Sequence, residues 1–205
     1  MNRTTRLKLA TLVLILLLAS LAGFALIALH MGTPWLVAIV IALLVPGRVQ
    51  GMLWREFFIG RRLLANGQYA EAIPHFERFM DQLKERPNLR HAVWLGWSFY
   101  TLKPDVMALT NIGACNLMLG KFDLAEPALK EAIRRDPLAP LPHFNLALLH
   151  QLRNDPSETE RYLALTRSLG YRGAWNDAVV QHAMNAYASA EGRTNDSAAP
   201  GKKLD

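Results

Sequence analysis

The apolar positions of this chain follow two regimes. From Leu9 to Gly47 there is no charged residue, a run of 39. Beyond it, apolar residues recur at intervals of three and four with polar residues between them, the period of an amphipathic helix. A membrane-crossing helix needs about 20 apolar residues, so the uncharged run predicts two crossings rather than one. His30-Met31-Gly32-Thr33-Pro34 divides it with turn-forming residues. The first span is Leu9–Leu29. The second runs from about Pro34 to Val49, strictly apolar over Trp35–Val45, and kinked or re-entrant near Pro46-Gly47. The sequence thus predicts a basic tail over 1–8, a transmembrane helical hairpin over 9–49, and a flexible or glycine-broken junction at Gly47–Gly51.

The clearest helical pattern is Val106–Ala139. Leu109, Ile112, Gly113 and Asn116 share one helix face, and Ala125, Leu129 and Ala132 share another. Gly120 between them suits a left-handed helix end. Asp123 followed by Glu126 reads as an N-terminal cap of the second helix. Asp136-Pro137 stops it, because proline cannot continue a helix and restricts the residue before it.

With Val106 as position 1, this 34-residue stretch resembles a tetratricopeptide repeat. Leu109, Ile112, Gly113, Ala125, Leu129, Ala132 and Pro137 fall at the family's positions 4, 7, 8, 20, 24, 27 and 32; Asn116 departs at position 11. Such a hairpin cannot bury its apolar face alone, so copies are expected. Leu53–Arg86 fits the frame at Ile59, Gly60, Leu63, Gly67, Tyr69, Ala72 and Phe76, and departs at Glu56, Phe79 and Lys84. Pro74 and Pro127 both fall at position 22, read as the first turn of the second helix. Pro140–Gly173 fits at Leu146, Ala147 and Leu163 but not at His143, His150 or Thr159, so a third hairpin is expected without a strict repeat. The resemblance implies an all-α fold: the membrane hairpin followed by a short α-solenoid over 50–188.

Two segments stand outside the frame. Pro87–Asp105 is too apolar for a solvated loop, and Leu89, Val93, Trp97 and Tyr100 share a helix face. Either it extends the solenoid core or it rests on a bilayer surface. Trp54, Phe57 and Phe58 leave the same pair of readings open, membrane interface or packing against the next helix. Trp175, Val179, His182 and Ala186 predict a last helix over 174–188 that caps the stack. From Ser189 to Asp205 the composition predicts disorder.

Composition then changes the meaning of the charge. The net charge is +6, from 23 Lys and Arg against 17 Asp and Glu. Seven of those basic residues precede Leu63, against Glu56 alone among acids, which leaves 16 of each sign in the remaining 143 residues. The excess is therefore a membrane-topology signal rather than a nucleic-acid footprint. Arg3, Arg6 and Lys8 before the first span, and Arg48, Arg55, Arg61 and Arg62 after the second, put both ends in the cytoplasm. Ser20-Leu21-Ala22 offers a competing signal-peptide reading. The single cysteine, Cys115, allows no internal disulfide and reads as a buried thiol.

No motif for catalysis, cofactor or metal stands in the chain. His143 and His150 share a helix face about 10.5 Å apart at ~1.5 Å per residue, too far for one metal ion, and read as packing or surface residues. An enzyme is not expected. Instead, the tetratricopeptide resemblance implies a groove for protein partners lined by the first helix of each repeat. Carried onto this chain, its positions are Met107, Thr110, Asn111, Ala114, Leu117 and Met118 from the central repeat. Leu141, Phe144, Asn145, Leu148, Gln151 and Leu152 follow from the third. Asn111 and Asn145 are placed to hold a peptide main chain, and the apolar wall favours an apolar peptide or helix. The expected role is a membrane-anchored interaction adaptor, scaffold or assembly factor on the cytoplasmic side of a bacterial-type inner membrane. The bilayer is contacted through residues 9–49. A small structural subunit of a transporter or respiratory complex is the alternative, disfavoured because the spans hold no Asp, Glu, Lys or Arg. The last helix or Pro87–Asp105 is the rival occupant of the groove.

Overall fold

The computed structural model describes residues 47–95 and 101–171, together with positions 20, 23, 45, 181 and 183–185. The uncharged run up to Leu44 lies otherwise outside the described residues, as do the basic tail, Trp97, Tyr100 and the segment from Ala186 onward. Among the described residues no helix is long and apolar enough to cross a membrane, and all regular structure is helical.

Six α-helices form three antiparallel hairpins: α1 (Arg55–Ala65) with α2 (Tyr69–Glu85), α3 (Pro104–Met118) with α4 (Phe122–Arg135), and α5 (Pro140–Leu152) with α6 (Pro156–Ser168). Consecutive hairpins stack, α2 on α3 and α4 on α5, and the first helices α3 and α5 touch each other. This is an α-solenoid. Proline opens α3, α5 and α6 at the first helical position, where its missing N–H leaves no bond unmade.

The same joint closes every hairpin. Gly67, Gly120 and Asn154 all have positive φ (77°, 72° and 56°), and each is the fifteenth residue of frames starting at Leu53, Val106 and Pro140. In each joint the next amide bonds back to a carbonyl five residues earlier: Gln68 to Leu63, Lys121 to Asn116, Asp155 to His150, at 2.8–2.9 Å. These are Schellman ends, and asparagine is the residue after glycine that tolerates the left-handed region. The third hairpin therefore keeps the frame's turn although its sequence departs from it at other positions.

Close approach explains the other small residues. A Cβ on Gly113 would lie 2.6 Å from Cγ and Cδ2 of Leu129, and one on Gly60 would lie 2.9 Å from the Phe76 ring. Both pairs are positions 8 and 24 of their frames, so glycine faces a large residue in each. Leu129 belongs to a core with Leu146, Ala147, Tyr162 and Leu163. Phe76 belongs to an aromatic core with Trp54, Phe57, Phe79, Ala92 and Val93.

Several expectations need correction. Gly47–Gly51 is not a loose junction: residues 47–53 are helical. The helical bonds run on through Trp54, with Trp54 N–H donating to Gln50 (2.8 Å) and Phe58 N–H to Trp54 (3.0 Å). Pro87–Leu95 is a 3-10 helix rather than an α-helix, with Ala92 and Val93 buried. Its carbonyls hold the segment leading into α1. Gln50 Nε2 donates to Ala92 O, and Trp54 Nε1 donates to Leu89 O, both at 2.9 Å. Donors four residues apart on an α-helix and acceptors three apart on a 3-10 helix are each separated by about 6 Å, so the two segments register antiparallel. Trp54 and Phe57 are buried in the aromatic core, which decides for packing over a membrane interface. Pro74 and Pro127 are sixth in α2 and α4, past the first turn, so each leaves one carbonyl of the first turn without its helical partner.

The cap assigned to Asp123 and Glu126 is also absent. Lys121 occupies the N-cap with no side-chain bond. Glu126 instead pairs with Lys130 (2.6 Å) and Arg153 (2.5 Å), and Asp123 reaches Arg153 at 3.5 Å. The bonds from Lys130 and Arg153 hold the Glu126 carboxyl below its usual range. These two acids tie α4 to the end of the third hairpin's first helix. A side-chain cap is present on α6, where Asp155 Oδ1 accepts from Glu158 N at 3.2 Å.

Candidate interaction groove

The predicted groove residues lie on α3 and α5, the two first helices that contact each other. Met107, Thr110, Leu117, Phe144 and Leu148 are buried; Asn111, Ala114, Met118, Leu141, Asn145 and Leu152 are half-buried; Gln151 is exposed. Thr110 turns its hydroxyl back onto Val106 O at 2.6 Å, so it presents a methyl group rather than a donor. Among the described residues, no group bonds the side-chain amides of Asn111 and Asn145.

The groove has an open part and a covered part. Ala114 and Met118 line a cleft of about 380 Å³ with Leu64, Ala65, Asn66, Gly67 and Tyr69 from the first hairpin's joint. Farther along, Leu117, Leu148 and Ala183 belong to one apolar cluster with Ala125 and Leu149, and Met118, Phe122 and Leu152 pack against it. Ala183 is fully buried. The described part of the last helix therefore packs against groove residues of α3 and α5. Trp175, Val179, His182 and Ala186, on which the expected capping helix rests, lie outside the described residues.

Ionic groups flank the hairpins. Asp105, buried at the start of α3, is bonded by Arg135 at 2.9 Å and faces Arg90 at 3.6 Å. Thr101 donates to Asp136 beside it. Glu56 is held by His75 (2.8 Å) and Arg78 (2.9 Å). Burial pushes its carboxyl upward, but these two partners outweigh burial and hold it below the ordinary value. Cys115 is buried, and burial pushes its thiol up to about 12. Among the described residues, no three of His, Cys, Asp or Glu come together as a metal site.

The two histidines of α5 are packing residues around one ring. His150 stacks on Tyr162 at 5.5 Å between centroids, and His143 approaches the same ring at 6.2 Å. His143 Nε2 donates to Pro137 O at 3.2 Å, while buried Nδ1 has no partner among the described residues. Burial, helped by nearby Arg161, pulls its pKa below 6.5 against the Pro137 bond. The unfolded chain takes up this proton first, so the stability it represents is complete above about pH 6.5 and is lost as pH falls towards the lowered folded value. His143→Gln keeps a donor for Pro137 but cannot titrate. Its denaturation free energy is expected to fall less than that of the wild type between about pH 7 and pH 5, as urea titrations at each pH would show.

Stacked hairpins with left-handed joints at one spacing and glycine against a large residue define a helical-repeat protein. The tetratricopeptide repeat family model matches residues 117–158, from the end of α3 to the start of α6. No curated protein and no solved structure matches the chain. The match supports the repeat assignment and bridges the central and third hairpins, including the part where the sequence frame was weakest.

Proposed function

We propose that this chain is a membrane-anchored adaptor, a scaffold or assembly factor that binds protein partners through its α3–α5 groove on the cytoplasmic side of a bacterial-type inner membrane. The repeat match over residues 117–158 carries the interaction role, since such repeats typically bind proteins. The uncharged run of 39 residues, with arginines on its far side, supports the anchor and the cytoplasmic placement. Asn111 and Asn145 on adjoining helices, whose side-chain amides no described residue bonds, fit the main chain of an apolar peptide or helix, with Ala114 and Met118 forming the open wall. No catalytic step, metal or cofactor belongs to this reading.

The test is capture of a cross-linked partner by the full chain in native membranes, with Asn111 and Asn145 changed together to alanine. Two lost hydrogen bonds at about 1 kcal/mol each correspond to binding weaker by roughly thirtyfold, since 1.4 kcal/mol is tenfold. Equal capture by wild type and variant, at equal thermal stability, means that the partner binds another surface.

A further inference from the structure

We infer that the outward face of the helical lead-in, residues 47–53 together with α1, is a docking surface for the headgroup layer of an anionic lipid bilayer. The inference rests on the anchor reading above and carries the bilayer contact on past Val49, where the second predicted span ends. The inward face of this helix is committed: Gln50, Trp54 and Phe57 are buried against the 3-10 helix and the aromatic core. The opposite face is apolar and bare. Just past Val45 and Val49, which close the second predicted span, Met52 and Leu53 are 79% and 39% exposed.

Arg48 precedes Met52 and Leu53, and Arg55 and Arg62 follow them, the latter two seven residues apart and so on one side of α1. All three are exposed, and among the described residues none has a carboxylate partner. Glu56, the only acid before Leu63, is turned away and held by His75 and Arg78. The face thus presents unpaired guanidinium groups next to an apolar ridge. Guanidinium matches a phosphate by paired hydrogen bonds, and an apolar ridge beside basic residues is what an interfacial helix buries. A nucleic acid would use the arginines but leave Met52 and its neighbours in water. The uncharged run ending at Gly47 puts Arg48 at the bilayer edge, which selects the lipid surface.

The test uses the full chain carrying Met52→Cys, labelled with a polarity-sensitive fluorophore. Buried Cys115 does not compete for the label. The protein is reconstituted in vesicles of phosphatidylcholine alone or mixed with phosphatidylglycerol. Quenching by a water-soluble quencher is expected to fall several-fold in the anionic vesicles, and the difference to vanish when Arg48, Arg55 and Arg62 are changed to glutamine. Equal quenching in both lipids overturns the inference. So does equal protection by inorganic phosphate added to the neutral vesicles, which would mark a free-anion site. Carbonate extraction of the same vesicles tests the anchor separately. A chain that washes out overturns the anchor, and the docking surface then stands if the extracted chain sediments with anionic but not neutral vesicles, and falls if it does not.

Discussion

Replacing Trp54 by alanine is expected to destabilise the helical stack by about 3–5 kcal/mol, the range for deleting a large buried aromatic ring. Trp54 is fully buried and meets Phe57 and Phe79 edge to face at 5.7 and 5.3 Å. Its loss opens a cavity in the aromatic core and also strips Leu89 O of the indole donor at 2.9 Å. Trp54→Phe separates these effects. It retains most of the apolar area but not the donor, so its cost is expected to lie near the ~1–3 kcal/mol of an orphaned buried acceptor. At roughly 2–4 °C per kcal/mol for a chain of this size, the alanine variant should melt on the order of ten degrees lower. Unchanged melting of Trp54→Ala would mean that the lead-in segment is not part of the cooperative unit.

Gly113→Leu is the second large effect. Any Cβ at this site would stand 2.6 Å from two carbons of Leu129 and 3.3 Å from the backbone oxygen of Ala125. Leu129 is fully buried and has little room to turn aside, so α3 and α4 must move apart. Overpacking of this kind costs about 1–3 kcal/mol, with the helix-propensity gain of up to ~1 kcal/mol from losing glycine already opposing it. A double-mutant cycle with Gly113→Ala and Leu129→Ala isolates the contact. The pair should destabilise less than the sum of the two single changes, because shortening Leu129 makes room for the new methyl group. Additive costs in denaturant titrations would show that the two side chains do not meet.

The features legible in the sequence are those that close packing forces onto particular residue types. Gly67 and Gly120 mark left-handed joints, and Gly60 and Gly113 mark places where a helix passes over Phe76 or Leu129. The third joint was hidden because Asn154 does the same work without being glycine, and asparagine is common in ordinary loops. The Asp123–Glu126 signature misled because both carboxylates found a stronger partner in Arg153, which is 27 residues beyond Glu126 in sequence and invisible to local pattern. Gly47–Gly51 looked loose because glycine weakens a helix by ~1 kcal/mol. Gln50 and Trp54 hold it in place through carbonyls on a segment 35–42 residues away. For the groove, spacing placed its residues on the two touching helices. It did not show that Leu117 and Leu148 share a cluster with Ala183, because that contact depends on where the chain returns.

In the adaptor role proposed above, the paired bonds from Gln50 and Trp54 to the 3-10 helix would also govern how the protein meets a partner. One bond would leave a pivot; two bonds about 6 Å apart on rigid segments remove both sliding and swivelling. A flexible tether spreads its cargo over a hemisphere, and the local concentration at any one spot falls steeply with its length. A stiff mount concentrates the cargo at one height and bearing, and gives almost nothing elsewhere. The repeat stack is thus presented in a fixed pose relative to the lead-in helix. Partners already positioned for that pose gain effective concentration, and those that are not are excluded by geometry before any side chain is read.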